Sequence, residues 1–196
     1  MENRGTYRAV NELPALVTRA ARLAEALEFQ NSCTSEVGRL LRVLVASAGP
    51  GVIAEVGTGC GVGSAWMLSG LRAGQTFVSI ELDMVRHREV SDLFADVPNA
   101  TFLTGDWRDL LAYAPFKLLF ADGGKAKEEG AALLLEALEL GGAVVLDDLT
   151  PEDQWPEAWR GQKDETRAFW LNHPNVQATE ILTTPKTAAI IAVRVR

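Results

Sequence analysis

The chain has 196 residues, 47% of them hydrophobic and 23% charged, and its 19 basic and 26 acidic side chains give a formal net charge of −7. This composition predicts a soluble folded domain with a substantial core and excludes a disordered or collagen-like chain. An acidic chain without a cluster of Lys and Arg disfavours nucleic acid as a partner. The longest apolar runs, such as residues 188–193, are far too short to cross a bilayer. We therefore expect a small-molecule partner, with no nucleic acid and no membrane.

The first residues and the cysteines indicate the cellular compartment. Residues 1–10 contain Arg4 and Arg8 but no apolar stretch, so they do not resemble a secretory signal. Cys33 and Cys60 have neither metal-ligand spacing nor the pattern of a disulfide framework. These features predict a cytoplasmic protein, and they leave a homodimer open.

Two helices are predicted ahead of the first strand. Apolar residues recur at intervals of three and four between positions 13 and 27, as on one face of an amphipathic helix. A second helix is expected after Thr34 and Ser35, which are N-cap residues, and Gly49-Pro50 ends it. Residues 1–48 are thus predicted to form an N-terminal helical segment.

Short apolar runs alternate with helical patterns in residues 51–196. Because strands this apolar are covered on both faces, the alternation predicts a parallel, doubly wound, Rossmann-like α/β sheet in one domain. The last two strands, 176–182 and 187–195, are separated by too few residues for a helical crossover and should pair antiparallel. The other predicted strands are 52–56, 76–81, 101–104, 118–121 and 143–146, and the predicted helices between them are 62–71, 85–94 and 126–140.

The stretch from Glu55 to Ser64 reads EVGTGCGVGS and connects the first predicted strand to a helix. Glycines there let the backbone turn sharply and approach a ligand. The dinucleotide pattern GxGxxG fails in both registers, because its third glycine would fall on Val62 or on Ser64, and the phosphate-binding pattern fails because no Lys follows. An acid two positions before GxGxG remains, which is typical of S-adenosylmethionine sites, where the carboxylate holds the ammonium group. A glycine-rich turn without a ligand is the alternative.

Two further acidic positions fit the rest of such a ligand. Glu81 ends the second predicted strand, 24 positions after Gly57, where an open α/β sheet places the acid that binds ribose hydroxyls. After the third strand, Asp106 can accept a hydrogen bond from an adenine amine, and Trp107 can flank the ring. The alternatives are a solvent-exposed Glu and an ordinary turn with an aromatic core residue.

A resemblance to a known family is carried by residues 54–65, 80–82, 105–111, 118–125 and 141–149. The chain from Ser32 onward is similar to the class I methyltransferases that use S-adenosylmethionine, and among them to the catechol-type and caffeoyl-coenzyme-A-type O-methyltransferases. The resemblance implies a seven-stranded sheet in the order 3-2-1-4-5-7-6 with an antiparallel last strand. That implication agrees with the antiparallel pairing expected from the short final connection.

The resemblance also implies a divalent metal site. In that family an Asp followed three positions later by Lys ends the fourth strand, Asp-Asn ends the fifth, and together they hold one divalent ion. Asp122 with Lys125 matches the first motif, and Asp147-Asp148 resembles the second with an Asp in place of the Asn. The three aspartates would converge on Mg²⁺ or another hard cation at one sheet edge. The ion would orient an acceptor hydroxyl and lower its pKa, with Lys125 as base or charge partner.

The implied activity is metal-assisted O-methyl transfer to a small phenolic or catecholic hydroxyl. Two alternatives stay open: metal-free methylation of a nitrogen or a carboxylate, favoured if Asp147 and Asp148 point apart, and a non-catalytic domain that binds the cofactor. The predicted catalytic residues are Lys125 and Asp122, and the predicted metal ligands are Asp122, Asp147 and Asp148. The predicted cofactor-binding residues are Glu55, Gly57, Thr58, Gly59, Gly61, Ser64, Glu81, Leu82, Asp106, Trp107 and Asp122.

Three tryptophans lie between the fifth and sixth predicted strands. Trp155 and Trp159 fall in residues 150–161, a segment that would lid the acceptor site and offer a flat aromatic surface to a planar phenol. The alternative is that these rings pack a helix against the sheet, and this packing is the expectation for Trp170.

Overall fold

The computed structural model describes residues 13–196, so the prediction that residues 1–10 are not a secretory signal concerns residues outside the described part. Two helices open this part, α1 (Ala15–Ala26) and α2 (Ser35–Ser47), as the apolar spacing predicts. The Thr34 hydroxyl caps α2 by accepting a hydrogen bond from the Val37 N–H at 3.3 Å.

A seven-stranded sheet forms the centre of the fold. Its strands are β1 (Gly51–Val56), β2 (Gln75–Glu81), β3 (Ala100–Thr104), β4 (Phe116–Ala121), β5 (Leu138–Leu149), β6 (Val176–Leu182) and β7 (Ala188–Arg194). The helices among them are α3 (Val62–Leu68), α4 (Met84–Leu93), α5 (Gly124–Glu129), α6 (Ala131–Ala137) and α7 (Glu165–Asn172), with a 3₁₀ helix at Trp107–Tyr113. Within residues 13–196, no helix has the length and apolar character that a bilayer crossing requires.

The strand order is β3-β2-β1-β4-β5-β7-β6, and β7 runs antiparallel to both β5 and β6. The other neighbouring pairs are parallel. The predicted Rossmann-like sheet and its antiparallel last strand are thus confirmed. Because β1, β2, β4 and β5 are parallel, their carboxyl ends lie at one edge of the sheet, which is where open α/β sheets bind ligands.

Apolar side chains cover the sheet on both faces. Along β1, Ile53 belongs to the buried cluster shared with α1 to α4, and the next residue, Ala54, belongs to the cluster on the opposite face. Trp170 of α7 is buried in that second cluster, so it packs its helix against the sheet as expected. Burial of each large apolar side chain stabilises the fold by about 2 kcal/mol, which holds the strand ends in place for a site.

The single helix predicted over 126–140 is wrong. The segment forms two short helices that meet at Gly130, and residues 138–140 already belong to β5. A Cβ atom at Gly130 would lie 2.6 Å from the Trp107 ring, so the close approach of that ring requires a glycine there. Leu138 pairs with Phe116 of β4, and this sheet pairing overrides the helical apolar spacing of the sequence.

Strand β5 carries a bulge where it approaches the ligand edge. Leu146 pairs with Ile190 and Leu149 pairs with Ala188, so two residues of β5, Asp147 and Asp148, stand opposite one residue of β7. Asp148 adopts a φ of +60°, which is uncommon for a residue with a side chain. Bulges of this kind re-aim side chains next to functional sites.

Candidate functional site

Three cavities lie along the carboxyl edge of the sheet. The glycine-loop cavity has a volume of about 430 Å³ and lies between the turn after β1 and the start of α5. Its lining includes Phe29, Ser32, Cys33, Glu55, Gly57, Thr58, Gly59, Glu81, Arg86, Asp122, Lys127 and Asp148. The Trp107 cavity, of about 410 Å³, is lined among others by Gly57, Glu81, Leu82, Asp106, Trp107 and Lys125. The tryptophan-loop cavity, of about 450 Å³, includes Lys127, Asp147, Asp148, Thr150, Trp155, Trp159 and Arg167 in its lining.

The turn after β1 brings backbone close to backbone. Gly57 has a φ of +90°, and a Cβ atom there would lie 2.9 Å from the Gly123 nitrogen. A side chain at this position would therefore collide with the turn after β4 and would narrow the cavity. Gly61 caps the start of α3 at a φ of +78° and faces Phe94. Gly61 is thus placed to start the helix, whereas Gly57 and Gly59 line the cavity itself.

Glu55 brings a fully buried carboxyl group to the glycine-loop cavity. Its Oε2 accepts hydrogen bonds from the hydroxyls of Ser64 and Ser79, while its Oε1 has no partner. Burial raises the pKa of Glu55 to about 8, and the two serine hydrogen bonds oppose that rise. A buried acceptor without a donor is unfavourable in the protein alone and suits a ligand that supplies a positively charged donor.

Ser64 and Thr58 act within this buried network. The Ser64 hydroxyl donates to Glu55, so Ser64 orients the carboxyl group from the first turn of α3. The Thr58 hydroxyl hydrogen-bonds the Ser79 hydroxyl at 2.6 Å, and Ser79 in turn donates to Glu55. The chain of hydroxyls ties the glycine turn to β2 and fixes the rotamer of Glu55.

Glu81 is only 6% exposed, so a solvent-exposed side chain is ruled out for this residue. Its Oε2 accepts a hydrogen bond from the Gly59 N–H at 2.8 Å, and its Oε1 accepts from the Asp83 N–H at 2.9 Å and from Arg86 Nη2 at 3.0 Å. The residue lines both the glycine-loop cavity and the Trp107 cavity. A carboxylate held at this boundary can still accept hydrogen bonds from a ligand that spans both cavities.

The Trp107 cavity has an aromatic wall and an exposed acid. Trp107 is buried, its indole nitrogen has no partner, and the Arg108 guanidinium lies 4.7 Å from the ring centre. The Asp106 carboxylate accepts a hydrogen bond from the Arg108 N–H at 2.9 Å and pairs with its guanidinium at 3.1 Å. Leu82 is exposed at the rim. The structure thus brings Leu82, Asp106 and Trp107, which the sequence pattern named as cofactor-binding residues, to one cavity.

The two lysines after β4 lie in different places. Lys125 is exposed and lines the Trp107 cavity, whose lining includes neither Asp147 nor Asp148. Lys127 lines both the glycine-loop cavity and the tryptophan-loop cavity. Its ammonium nitrogen lies 3.6 Å from Asp122 Oδ1 and donates to the Asp147 carbonyl at 2.9 Å. The sequence motif indicated Lys125, but it is Lys127 that lies between the ends of β4 and β5, next to Asp122 and Asp147.

The three aspartates predicted as metal ligands do not assemble as the resemblance implies. Among residues 13–196, no three His, Cys, Asp or Glu side chains are grouped so that they could hold a metal ion. Asp147 is buried, whereas Asp148 is exposed and lies at the bulge of β5. Burial raises the pKa of Asp122 to about 7 and that of Asp147 to about 6, and the ammonium of Lys127 opposes both rises.

Residues that follow β5 form one wall of the tryptophan-loop cavity. The Trp155 indole N–H donates to the Thr150 carbonyl at 3.0 Å, and its ring lies 5.6 Å from the Arg167 guanidinium. Arg167 also donates to the Thr150 carbonyl and to both carboxylate oxygens of Glu180, each at 2.8 Å. Trp159 is 49% exposed, so its ring is free on one side.

Several lining residues were missed in the sequence. Phe29, Ser32 and Cys33 come from the connection between α1 and α2, and the buried Ser32 hydroxyl has no partner. Arg86 contacts Glu81 from the first turn of α4, five positions along the chain. Only Arg86 could have been found from the sequence, because its charge is opposite to that of Glu81 and the two are close along the chain. Nothing in the spacing of Phe29, Ser32 and Cys33 places them at the edge of the sheet.

Comparison with known proteins agrees with this geometry. A family model described as a methyltransferase domain matches residues 54–149, which run from β1 to the end of β5. Residues 54–149 are therefore similar to a methyltransferase domain. A relative from Mycobacteroides abscessus, provisionally named an O-methyltransferase, is 32% identical over 121 residues, which are 58% of this chain and 56% of the relative. One from Mycobacterium tuberculosis H37Ra, named in the same way, is 31% identical over 121 residues, 58% of this chain and 54% of the relative. The chain spans about half the length of the curated relatives it matches.

Solved structures resemble the fold of this chain over nearly its whole length. The O-methyltransferase TomG of Streptomyces achromogenes, solved with S-adenosylmethionine, has a TM-score of 0.81 at 18% identity and covers 97% of this chain and 94% of its own. The O-methyltransferase of Bacillus cereus, solved with S-adenosylhomocysteine, has a TM-score of 0.79 at 21% identity, with 96% and 94% covered. At such identities the likeness establishes the fold.

Proposed function

We propose that this chain transfers a methyl group from S-adenosylmethionine to a hydroxyl oxygen of a small acceptor. The observation that carries the proposal is the unpartnered, buried Oε1 of Glu55 at the wall of a glycine-lined cavity. The donor molecule has an ammonium group, which would meet this oxygen as a charged hydrogen-bond donor. The names of the O-methyltransferase relatives support the choice of oxygen as the methylated atom.

The glycine-loop cavity and the Trp107 cavity suit the parts of the donor in order. With its ammonium group at Glu55, the amino-acid part would lie against Gly57 and Gly59, where no side chain intrudes. Glu81, at the boundary of two cavities, would accept hydrogen bonds from the ribose hydroxyls. The adenine would then lie in the Trp107 cavity, with Asp106 as acceptor for its amine.

The acceptor would enter through the tryptophan-loop cavity. This cavity shares Lys127 and Asp148 with the glycine-loop cavity, so the two are neighbours at the point where a methyl group could pass. The half-exposed ring of Trp159 offers a flat surface that suits a phenolic or catecholic ring. The acceptor oxygen attacks the methyl carbon, the carbon–sulfur bond breaks, S-adenosylhomocysteine leaves, and the hydroxyl proton passes to solvent. Alignment of oxygen, carbon and sulfur is the main requirement.

Residue roles at the transfer point follow from position. Asp122 lies at the end of β4 between the donor and acceptor sides, within 3.6 Å of the Lys127 ammonium. Lys125, on the adenine side, would contact the donor rather than the acceptor. We therefore place the charge partner of the acceptor oxygen at Lys127, next to Asp122.

Calorimetry and a turnover screen test the proposal. Titration with S-adenosylmethionine and with S-adenosylhomocysteine should give dissociation constants of about 10 μM, in the range typical of enzyme substrates. Purified protein should then methylate a member of a panel of phenols, catechols and amines. If neither S-adenosylmethionine nor S-adenosylhomocysteine gave binding heat, the proposal would be overturned. Binding without turnover on any oxygen acceptor would point instead to a cofactor-binding domain, and turnover on amines alone to methylation of nitrogen.

A further inference from the structure

The ammonium group of Lys127 lies next to two oxygen atoms, one from the Asp147 carbonyl and one from the Asp122 carboxylate. Its nitrogen donates to the Asp147 carbonyl at 2.9 Å and lies 3.6 Å from the Asp122 carboxylate. The Lys127 and Asp122 side chains are only 15% and 14% exposed, so the pair is largely shielded from water. The Thr166 hydroxyl donates to the Lys127 carbonyl at 3.3 Å, which ties this turn of α5 to the start of α7.

We propose that Lys127 is the fixed cation of this site and occupies the place of a divalent metal, so that the domain transfers methyl groups without one. The part of this proposal that concerns turnover rests on the proposed function. A metal ion held by Asp122 and the end of β5 would meet the like charge of the ammonium at close range, and like charges in a shielded site repel strongly. While the Lys127 ammonium is in place, the Asp122 carboxylate and the Asp147 carbonyl are therefore unsuited to hold a resident metal.

The β5 bulge supports the same conclusion from a second direction. Asp148 adopts a φ of +60° and is exposed, whereas its neighbour Asp147 is buried. The backbone carbonyl of Asp147 and a single carboxylate, that of Asp122, contact the cationic group.

Lys127 is also placed to act on the acceptor. It lines both the glycine-loop cavity and the tryptophan-loop cavity, where a methyl donor and an acceptor would meet. An ammonium group there favours an acceptor oxygen that has lost its proton, which is the electrostatic part of what a bound metal would otherwise supply. The Asp122 carboxylate and the Asp147 carbonyl would hold the ammonium in position during this step.

Titration with Mn²⁺ alone, without donor or acceptor, tests the substitution. Lys127→Met removes the charge and keeps most of the side-chain length, so it should bind Mn²⁺ at least about tenfold more tightly than the unmodified protein. Lys127→Arg keeps the charge and should bind as weakly as the unmodified protein. Lys125→Met, changed two positions earlier on the same helix, should bring no gain. Calorimetry or the loss of the free-Mn²⁺ electron spin resonance signal measures each affinity.

A gain smaller than about tenfold for Lys127→Met, or an equal gain for Lys125→Met, would overturn the proposal. Thermal unfolding checks that each variant is folded, and Lys127→Gln provides a second neutral variant if Lys127→Met is not. Once an acceptor is known, turnover of the unmodified protein should be unchanged by a chelator, and a chelator-sensitive rate would also overturn the proposal. Because the Mn²⁺ titration needs neither donor nor acceptor, its result is independent of whether the proposed function holds.

Discussion

The donor side and the acceptor side of the site are built from different parts of the chain. On the donor side, Glu55 and Glu81 end neighbouring parallel strands and are both buried. On the acceptor side, the lining comes from two helices, α5 and α7, one bulge and a loop, and Trp159 is half exposed. The loop depends on Arg167, whose contacts join Thr150, Trp155 and Glu180. The difference teaches that strand ends fix one part of the site, while side-chain contacts between distant segments hold the other part in place.

The largest expected effect concerns stability on the donor side. Burial raises the pKa of Glu55 from 4.5 to about 8, so the folded protein keeps the proton where the unfolded chain has lost it. The contribution of the neutral Glu55 carboxyl group to the free energy of unfolding is present in full below pH 4.5. It is lost as the pH rises toward 8. Glu55→Gln removes this dependence and should be more stable than the unmodified protein by roughly 4 kcal/mol at pH 8, and by little at pH 5. Urea unfolding without ligand at the two pH values measures the difference.

The same variant should lose affinity for S-adenosylmethionine, because an amide does not carry the negative charge that the ammonium group would meet. A stability difference that does not change with pH would contradict the raised pKa. Unchanged cofactor affinity would contradict the assignment of Glu55 to the ammonium group.

The next largest effect is on cofactor affinity. Glu81→Ala removes the acceptor of three hydrogen bonds within the protein and of those expected from ribose. We expect affinity for S-adenosylmethionine to fall by about 100-fold, since hydrogen bonds to charged groups contribute about 1.5–3 kcal/mol each. Calorimetry measures the affinity, and circular dichroism checks the fold. Glu89→Ala, an exposed Glu on α4, is the matched control and should bind normally.

On the acceptor side, Arg167→Met should separate the two halves of the site. The substitution removes the guanidinium that joins Glu180 to the Thr150 carbonyl, so the loop after β5 should lose its position. We expect kcat/KM for the acceptor to fall by about tenfold, which corresponds to about 1.4 kcal/mol. Affinity for S-adenosylmethionine by calorimetry should stay within about twofold, because Arg167 does not line the glycine-loop cavity. A parallel loss of cofactor affinity would mean that the two sides are coupled.

The smallest effect is expected at Trp159. Its ring is half exposed, so Trp159→Ala should change the free energy of unfolding by less than about 0.5 kcal/mol. KM for an aromatic acceptor should rise by about threefold to tenfold, because loss of ring stacking weakens binding by about 0.5–1.5 kcal/mol. Steady-state kinetics with an aromatic and an aliphatic hydroxyl acceptor measure this effect. An equal rise in KM for both acceptors would argue against stacking.

Most of the sheet, and the meeting of the glycine turn with the acid of β2 at one edge, could be predicted because their signals are local. The glycines after β1 and the acid at the end of β2 are read from short stretches of sequence, and a parallel sheet brings both to one edge. Prediction failed where a distant contact decided the outcome. Leu138, within the helix predicted over 126–140, pairs instead with Phe116 of β4, and no spacing within that segment records this contact.

The choice between Lys125 and Lys127 shows the same limit at the site. The two residues differ by two positions, and the motif favoured the first. The direction of each side chain depends on how the short helix α5 sits against β5 and α7, which includes the hydrogen bond from Thr166. Only the packing of these elements turns Lys127 toward Asp122.

The amino-acid sequence by itself determined the alternating α/β order, the antiparallel last pair and the carboxylates of the donor side. These features depend on apolar periodicity, connection length and backbone freedom, which act over a few residues. The tertiary structure alone decided the break at Gly130, the bulge at Asp147-Asp148 and the cation between Asp122 and Asp147. These depend on contacts between residues far apart in the chain, whose energies arise only when the elements pack together.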